Sequence, residues 1–219
     1  MPEIPLWITE EEVTSLVSVP QAIGALERIL PMEARGSAKN MKKGVLMVAD
    51  NDAMHVLGAS VAGADLCGFK TWVNIGGKSS TVVILFSAID GTCQAVIEAT
   101  ALGQTRTAAM TGVGTKHLAP VNADEMTIIG TGKQALPQVA ACMAVLPLKK
   151  LRIYSRSSKN RQRLADAVKA QFDLKITLSE SLEDSVKDVP VITVVTNSTE
   201  PFLTSEMVSS GLLMVYVPG

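Results

Sequence analysis

The stretch MTIIGTGKQALPQ, Met126 to Gln138, sets an apolar run against a Gly130-x-Gly132-x-x-Ala135 turn. The three small residues have separate uses in that order. Gly130 permits the tight turn, Gly132 lets the backbone approach a phosphate with no Cβ in the way, and Ala135 lets the next helix pack closely on the strand. The N–H groups and positive dipole end of that helix then face an anion. A bare structural turn has the same look, but here a strand precedes the turn and a second strand follows, as a dinucleotide site requires. The second strand ends Tyr154-Ser155-Arg156-Ser157. An NAD site usually carries Asp or Glu there to bond the ribose 2′-hydroxyl. Arg156 instead suits a 2′-phosphate, assisted by the Ser155 and Ser157 hydroxyls. The bland alternative is a solvated loop arginine. NADP(H) is thus expected over NAD(H).

The elements that must position these groups follow from the apolar pattern. In the C-terminal half, strands are expected at 126–129, 151–154, 174–177, 191–195 and 212–217, with helices at 134–146 and 160–171 between them. Short apolar strands alternating with helices imply a parallel sheet with right-handed crossovers, the doubly wound α/β pattern of Rossmann type. The N-terminal half is mixed α+β. Thr9 and Glu12 form a capping-box pair. Pro20 opens a helix whose Ile23, Leu26, Ile29 and Leu30 recur at helical spacing. VLMVA, FKTWV and TVVILFSAI read as strands, broken at Asn51-Asp52 and Gly76-Gly77. TRTAAMTGVGTKHLAP reads as a helix ending before Pro120. The segment VNADE marks the expected boundary between domains 1–120 and 121–219.

The 219 residues are 47% hydrophobic with a formal charge of −1. That suffices for one large or two small domains. The charge argues against nucleic acid or an anionic membrane as partner. No signal peptide or spanning run is legible. Cys67, Cys93 and Cys142 are scattered and odd in number, as free thiols of a cytoplasmic protein would be, and two histidines make a histidine-rich metal site improbable.

Two further segments, CGFKTWVN (Cys67 to Asn74) and ALGQTRTAAMTGVGTKHLA (Ala101 to Ala119), together with GTGKQA and the strand order, make the chain resemble the ornithine cyclodeaminase/μ-crystallin family. The resemblance implies a homodimer with an N-terminal substrate and dimerisation domain and a Rossmann domain. It implies hydride exchange between a nicotinamide and the carbon bearing an amine or imine beside a carboxylate, on a small amino or imino acid. Lys70 falls on the family's active-site lysine. Arg106 falls on the arginine near the substrate carboxylate and the cofactor phosphates. Thr131, Lys133 and Gln134 fall in the pyrophosphate turn, and Thr196 and Val217 on cofactor-lining positions after the fourth and fifth strands. The chemistry agrees: arginine grips a carboxylate in bidentate fashion, and a buried lysine can bond or protonate the substrate nitrogen.

The departures narrow the reading. Cyclodeaminases carry a glutamate near the positions of Val56 to Gly58, where His55 is the nearest ionisable group. A second carboxylate-binding arginine is also missing, with Lys42 or Lys43 as its substitute. A ketimine reductase or amino-acid dehydrogenase is therefore expected ahead of an ornithine cyclodeaminase, with a non-catalytic cofactor-binding relative as the other alternative. The sequence ends at Gly219, where the family continues with a catalytic aspartate and returning helices. A truncated or divergent form of weak turnover is the resulting expectation, since a missing acid or base costs about 10²–10⁴-fold. Asp65 and Glu98 are the acids to consider in its place.

Overall fold

The computed structural model describes residues 4–217. It divides into two compact units, Met1–Arg106 and Thr107–Gly219. The division falls inside one helix rather than in the VNADE segment.

The first unit carries β1 (Leu6–Ile8), α1 (Glu10–Leu16), α2 (Val19–Ala34), β2 (Ala38–Asn40), β3 (Gly44–Ala49), β4 (Asp52–Val61), β5 (Leu66–Ile75), β6 (Lys78–Ser87) and β7 (Cys93–Glu98). Helix α3 (Thr100–Leu118) follows and contains the division. Both early helices start at capping boxes, Thr9 with Glu12 and Ser18 with Gln21, and Pro20 sits in the first turn of α2. Each box satisfies two backbone donors that the helix cannot use itself. Strands β4 to β7 form an antiparallel meander, β2 and β3 lie along the outer side of β4, and β1 joins β7 in parallel. VLMVA, FKTWV and TVVILFSAI correspond to β3, β5 and β6, which extend beyond them at one end or both, and β2, β4 and β7 were not anticipated. The β4 sequence DAMHVLGASV mixes alanine, glycine and histidine into its apolar positions, which blurs the period-2 signal.

The second unit carries β8 (Glu125–Ile129), α4 (Ala135–Met143), β9 (Lys150–Tyr154), α5 (Ser158–Lys169), β10 (Lys175–Leu178), α6 (Leu182–Val186), β11 (Val191–Val194) and β12 (Leu213–Tyr216). All five strands are parallel, in the order β10-β9-β8-β11-β12. This is the expected doubly wound sheet, with boundaries shifted by one to three residues. A parallel sheet is covered on both faces, so its central strands β8 and β11 are buried nearly throughout. Met126, Ile128, Leu151, Ile153, Val191 and Ile192 are accordingly fully buried. Among the described residues no helix is long and apolar enough to cross a membrane.

Candidate functional site

Chain order reverses around β8: β9 lies on one side and β11 on the other. A crevice opens beyond the strand ends at such a switch point. Here the ends are locked by the backbone. Gly130 N–H donates to the Tyr154 carbonyl at 2.9 Å, and Val195 N–H donates to the Ile129 carbonyl at 2.8 Å. The crevice has a volume of ≈ 620 Å³. Its lining combines the apolar Ile129, Val195, Leu182 and Phe202 with Thr131, Gly132, Tyr154, Ser155, Arg156, Ser157, Asn160, Thr196, Asn197 and Ser198. Apolar walls in a concave crevice, here with polar groups at most of the remaining lining positions, suit a polar small molecule.

The two glycines of the turn have different needs. Gly130 has φ +106°, and a Cβ built on it would stand 2.1 Å from the Val195 carbonyl oxygen. Its bareness serves the packing of the turn against the end of β11 as well as the turn itself. A Cβ on Gly132 would meet nothing within 4 Å. Its open side is free for a ligand phosphate, so the turn fits a dinucleotide. Ala135 is fully buried and its N–H donates to the Gly132 carbonyl at 3.0 Å. Pro137, in the first turn of α4, has no N–H. Neither residue can serve an anion, which narrows the donors to their neighbours. No side chain caps α4 at Gln134, whose Oε1 is buried without a partner.

The ribose-recognition loop is tied to itself. The Ser155 hydroxyl donates to the Ser157 carbonyl at 3.1 Å, and Ser157 Oγ accepts the Asn160 N–H at 3.3 Å as the cap of α5. With its proton already used, Ser155 Oγ presents lone pairs to the crevice. Arg156 is exposed and lines it. Lys133 is exposed, and Lys133, Gln134 and Val217 are not among the lining residues; Val217 belongs to the core, 6% exposed, its N–H bonded to the Val194 carbonyl.

In the first unit, Lys70 lies mid-strand on β5, half-buried. Alternation puts Trp72 on the same face, and cross-strand register adds His55 opposite Trp72. The His55 and Trp72 rings stack at 4.6 Å with planes 16° apart. Lys70 Nζ stands 4.7 Å and Lys43 Nζ 5.0 Å from the Trp72 ring centre, both in cation–π range. The structure thus brings in Lys43 of the two lysines considered. A Cβ on Gly103 of α3 would lie 3.5 Å from Lys70 Nζ, which places the start of α3 beside this face; Arg106 follows one turn later. Burial, then the charges of Arg106 and Lys43, lowers the Lys70 pKa. Burial, then Lys43, lowers that of His55, whose Nδ1 is buried without a partner. Lys70, Lys43 and Arg106 are cations that repel one another, a repulsion that a nearby anion would relieve.

Neither alternative acid joins them. Glu98 pairs in register with Val82, and Val82 with Thr71, so it lies on the face opposite Lys70. Its carboxylate accepts from Trp7 Nε1 and the Glu10 N–H. Asp65 occupies a left-handed turn before β5, φ 53°. Glu10 in turn caps α3, accepting the Thr100 N–H at 2.5 Å and the Ala101 N–H at 3.0 Å. Sequence reasoning missed Trp72, although its two-residue spacing from Lys70 was the signal for it. It also missed Glu10, Leu182 and Phe202, which only long-range packing brings into place. Among the described residues no group of histidine, cysteine or carboxylate side chains could hold a metal.

A sequence profile of the Ornithine cyclodeaminase/mu-crystallin family matches residues 5–219. The chain is 27% identical over 223 residues to the ketimine reductase mu-crystallin of Mus musculus, a match covering 96% of this chain and 70% of the mouse protein. It shares its fold with the Δ1-pyrroline-2-carboxylate reductase of Thermococcus litoralis, solved with NADH and L-proline, at a TM-score of 0.91 and 22% identity, covering 97% of this chain and 68% of that one. It is also similar to the iminosuccinate reductase of Paracoccus denitrificans, solved with NAD+, at a TM-score of 0.87 and 26% identity, covering 94% and 66%.

Proposed function

Because the chain belongs to the ornithine cyclodeaminase/mu-crystallin family, we propose that it serves NAD(P)-dependent reduction or oxidation at the amine or imine carbon of a small amino or imino acid. The observation that carries the reading is the pairing of two sites of different chemistry on one chain. One is the crevice beyond β8, whose glycine turn leaves open space at Gly132. The other is the cationic face of Lys70 and Lys43 around Trp72, with the charge of Arg106 acting on Lys70. The lack of a glutamate at Val56 to Gly58 favours an imine reductase or amino-acid dehydrogenase over ornithine cyclisation.

In this reading a bound nicotinamide supplies the hydride, and the chain's own residues bind, orient and handle protons. Arg106 and Lys43 hold the substrate carboxylate. Lys70, with its pKa lowered, loses a proton more readily than a solvated lysine and donates it to the substrate nitrogen. Thr131, Gly132, Lys133 and Gln134 meet the pyrophosphate, while Thr196 and its neighbours line the cofactor. Arg156 meets a 2′-phosphate, which makes NADP(H) the preferred dinucleotide. Domains 1–120 and 121–219 divide the work between substrate and cofactor.

The working unit in this proposal is a cytoplasmic homodimer, with the three cysteines free. Trp7 pairs with Val96, Val96 with Ile84 and Ile84 with Phe69, a row on the face opposite Lys70. Trp7 is 61% exposed, Phe69 46% and Leu46 64%, an apolar face of the kind a partner covers. Light scattering at micromolar concentration that returns a monomer mass sinks this part.

The cofactor test is fluorescence titration of the purified chain with NADPH and NADH. NADPH binds more tightly, and Arg156→Ala weakens it by about tenfold or more while leaving NADH nearly unchanged, on the scale of one charge-assisted bond. Equal affinities in the wild type refute the preference. Weak turnover of one among cyclic ketimines, pyruvate with ammonia, and ornithine then identifies the reaction, and a cofactor-binding chain that turns over none of them even weakly does not catalyse it.

A further inference from the structure

Helix α5 buries one stripe, made of Arg161, Leu164, Ala165 and Val168. These are positions i, i+3, i+4 and i+7, the face a helix turns to its core. Three of the four are apolar, as packing requires. The fourth is a guanidinium only 5% exposed. An arginine in a core stripe costs desolvation, and here its Nε finds no partner. An apolar side chain would meet the packing need without that cost, so the charge has another use.

Its two arms show what that use is. Nη1 donates to the Ser155 carbonyl at 2.7 Å, and Nη2 donates to Glu180 Oε2 at 2.6 Å. Ser155 opens the loop that carries Arg156, and the loop's other end is fixed where Ser157 caps α5. Between those two anchors only Arg156 remains to be placed. The anchoring carboxylate comes from Glu180, just beyond β10, and is 84% exposed. The guanidinium therefore bridges a rigid helix, the ribose loop and the segment after β10.

We propose that Arg161 is a positioning residue that sets discrimination at the ribose 2′ position, by holding the Ser155 carbonyl so that Arg156 faces the crevice in one orientation. This rests on assigning the crevice to a dinucleotide. Arg161 touches no ligand itself, since it is not among the residues lining the crevice. Lysine cannot replace it, because one ammonium on a flexible stem cannot span both acceptors as a planar fork does.

The test uses the purified chain and two fragments that report the ribose end alone, adenosine 2′,5′-bisphosphate and 5′-AMP, with affinities from calorimetry and folding from circular dichroism melts. The wild type prefers the bisphosphate. Arg161→Lys lowers that preference by about tenfold, the scale of one lost charge-assisted hydrogen bond, while 5′-AMP affinity changes little. Glu180→Gln, which keeps the guanidinium and weakens only its anchor, lowers the preference by a smaller factor. If Arg161→Lys does not fold, Glu180→Gln decides. A preference unchanged in the folded variants, with the wild type still discriminating, overturns the role of Arg161 and leaves the dinucleotide assignment standing. A wild type that binds neither fragment, or does not tell them apart, overturns the cofactor assignment and this inference together.

Discussion

Substituting alanine at Gly130 and, separately, at Gly132 separates two demands that a glycine turn usually confounds. At Gly130 the new methyl group has no room. Its Cβ would lie 2.1 Å from the Val195 carbonyl oxygen and 2.8 Å from the carbonyl carbon, and the backbone holds φ +106°. An L side chain at such an angle is strained by about 1–3 kcal/mol. Relief of the contact requires the ends of β8 and β11 to part, which strains the Val195 to Ile129 hydrogen bond, worth about 1 kcal/mol. Together the loss is about 3 kcal/mol, and for a unit of this size a melting temperature lower by roughly 10 °C. At Gly132 the same methyl meets nothing, so Gly132→Ala should melt like the wild type and bind NADPH poorly, because the methyl fills the space a phosphate needs. Thermal melts and NADPH fluorescence on both variants provide the assay. Gly130→Ala melting like the wild type would refute the packing argument. Gly132→Ala binding NADPH normally would show that no phosphate approaches there.

Three other outcomes follow from the geometry. Glu10→Gln should destabilise the first unit by about 1–2 kcal/mol in urea unfolding at pH 7, since it replaces the carboxylate that caps α3 with a neutral amide. Burial opposes ionisation of Glu10, but hydrogen bonds from Ala101 and Thr100 outweigh it and hold the pKa below 4.5. The carboxylate's contribution is therefore complete above that value and disappears as pH falls through the lower folded pKa, so wild type and variant should converge in strong acid. Affinity for pyruvate, read by tryptophan fluorescence, should fall with rising pH as Lys70 loses its proton, at a pH below the ordinary lysine range; Lys70→Arg should flatten the profile, and a profile unchanged by that substitution would clear Lys70 of the role. Burial pushes the Cys142 thiol up to about 11, whereas Cys67 and Cys93 are partly exposed. Iodoacetamide at pH 8 should therefore leave Cys142 unmodified in the native protein and reach it only in denaturant, as mass spectrometry can show.

The parallel unit was the more legible half because its strands are buried on both faces. Runs such as MTII and VITVV are apolar but for one threonine each, and the intervening helices are long enough to show their own period. The meander was harder. Its strands bury one face only in part, and β4 alternates through small residues that carry little hydrophobic signal. At the candidate site, the placement of Gly130, Gly132 and Arg156 on the crevice was readable because each position is set by the single loop that carries it. The surroundings of Lys70 were less so: Lys43 entered only as one of two substitutes for a missing arginine, and His55 reaches Trp72 and Gly103 reaches Lys70 through strand register and helix docking, which no spacing within a single segment encodes. Arg161 was hidden for the opposite reason: it sits on an exposed-looking, charge-rich helix, and only the fold shows that its position belongs to the core stripe.

The pairing of β1 with β7 has a consequence for how the protein is made. Leu6, Trp7 and Ile8 leave the ribosome early, yet their partners Ala95, Val96 and Ile97 are far downstream, and the Trp7 to Glu98 bond spans 91 residues. At about 5–20 residues per second, that is a delay of roughly 5–18 s. Throughout it, a short apolar segment with an indole is held without a sheet to join, at the time when nascent chains are most open to chaperones and to one another. The same late event brings Glu10 to Thr100 and Ala101, so the sheet edge and the cap of α3 close together. A bulky fusion placed directly ahead of β1 would burden that single step, and its cost would appear in the yield of folded protein rather than in the melting temperature of molecules that had completed it.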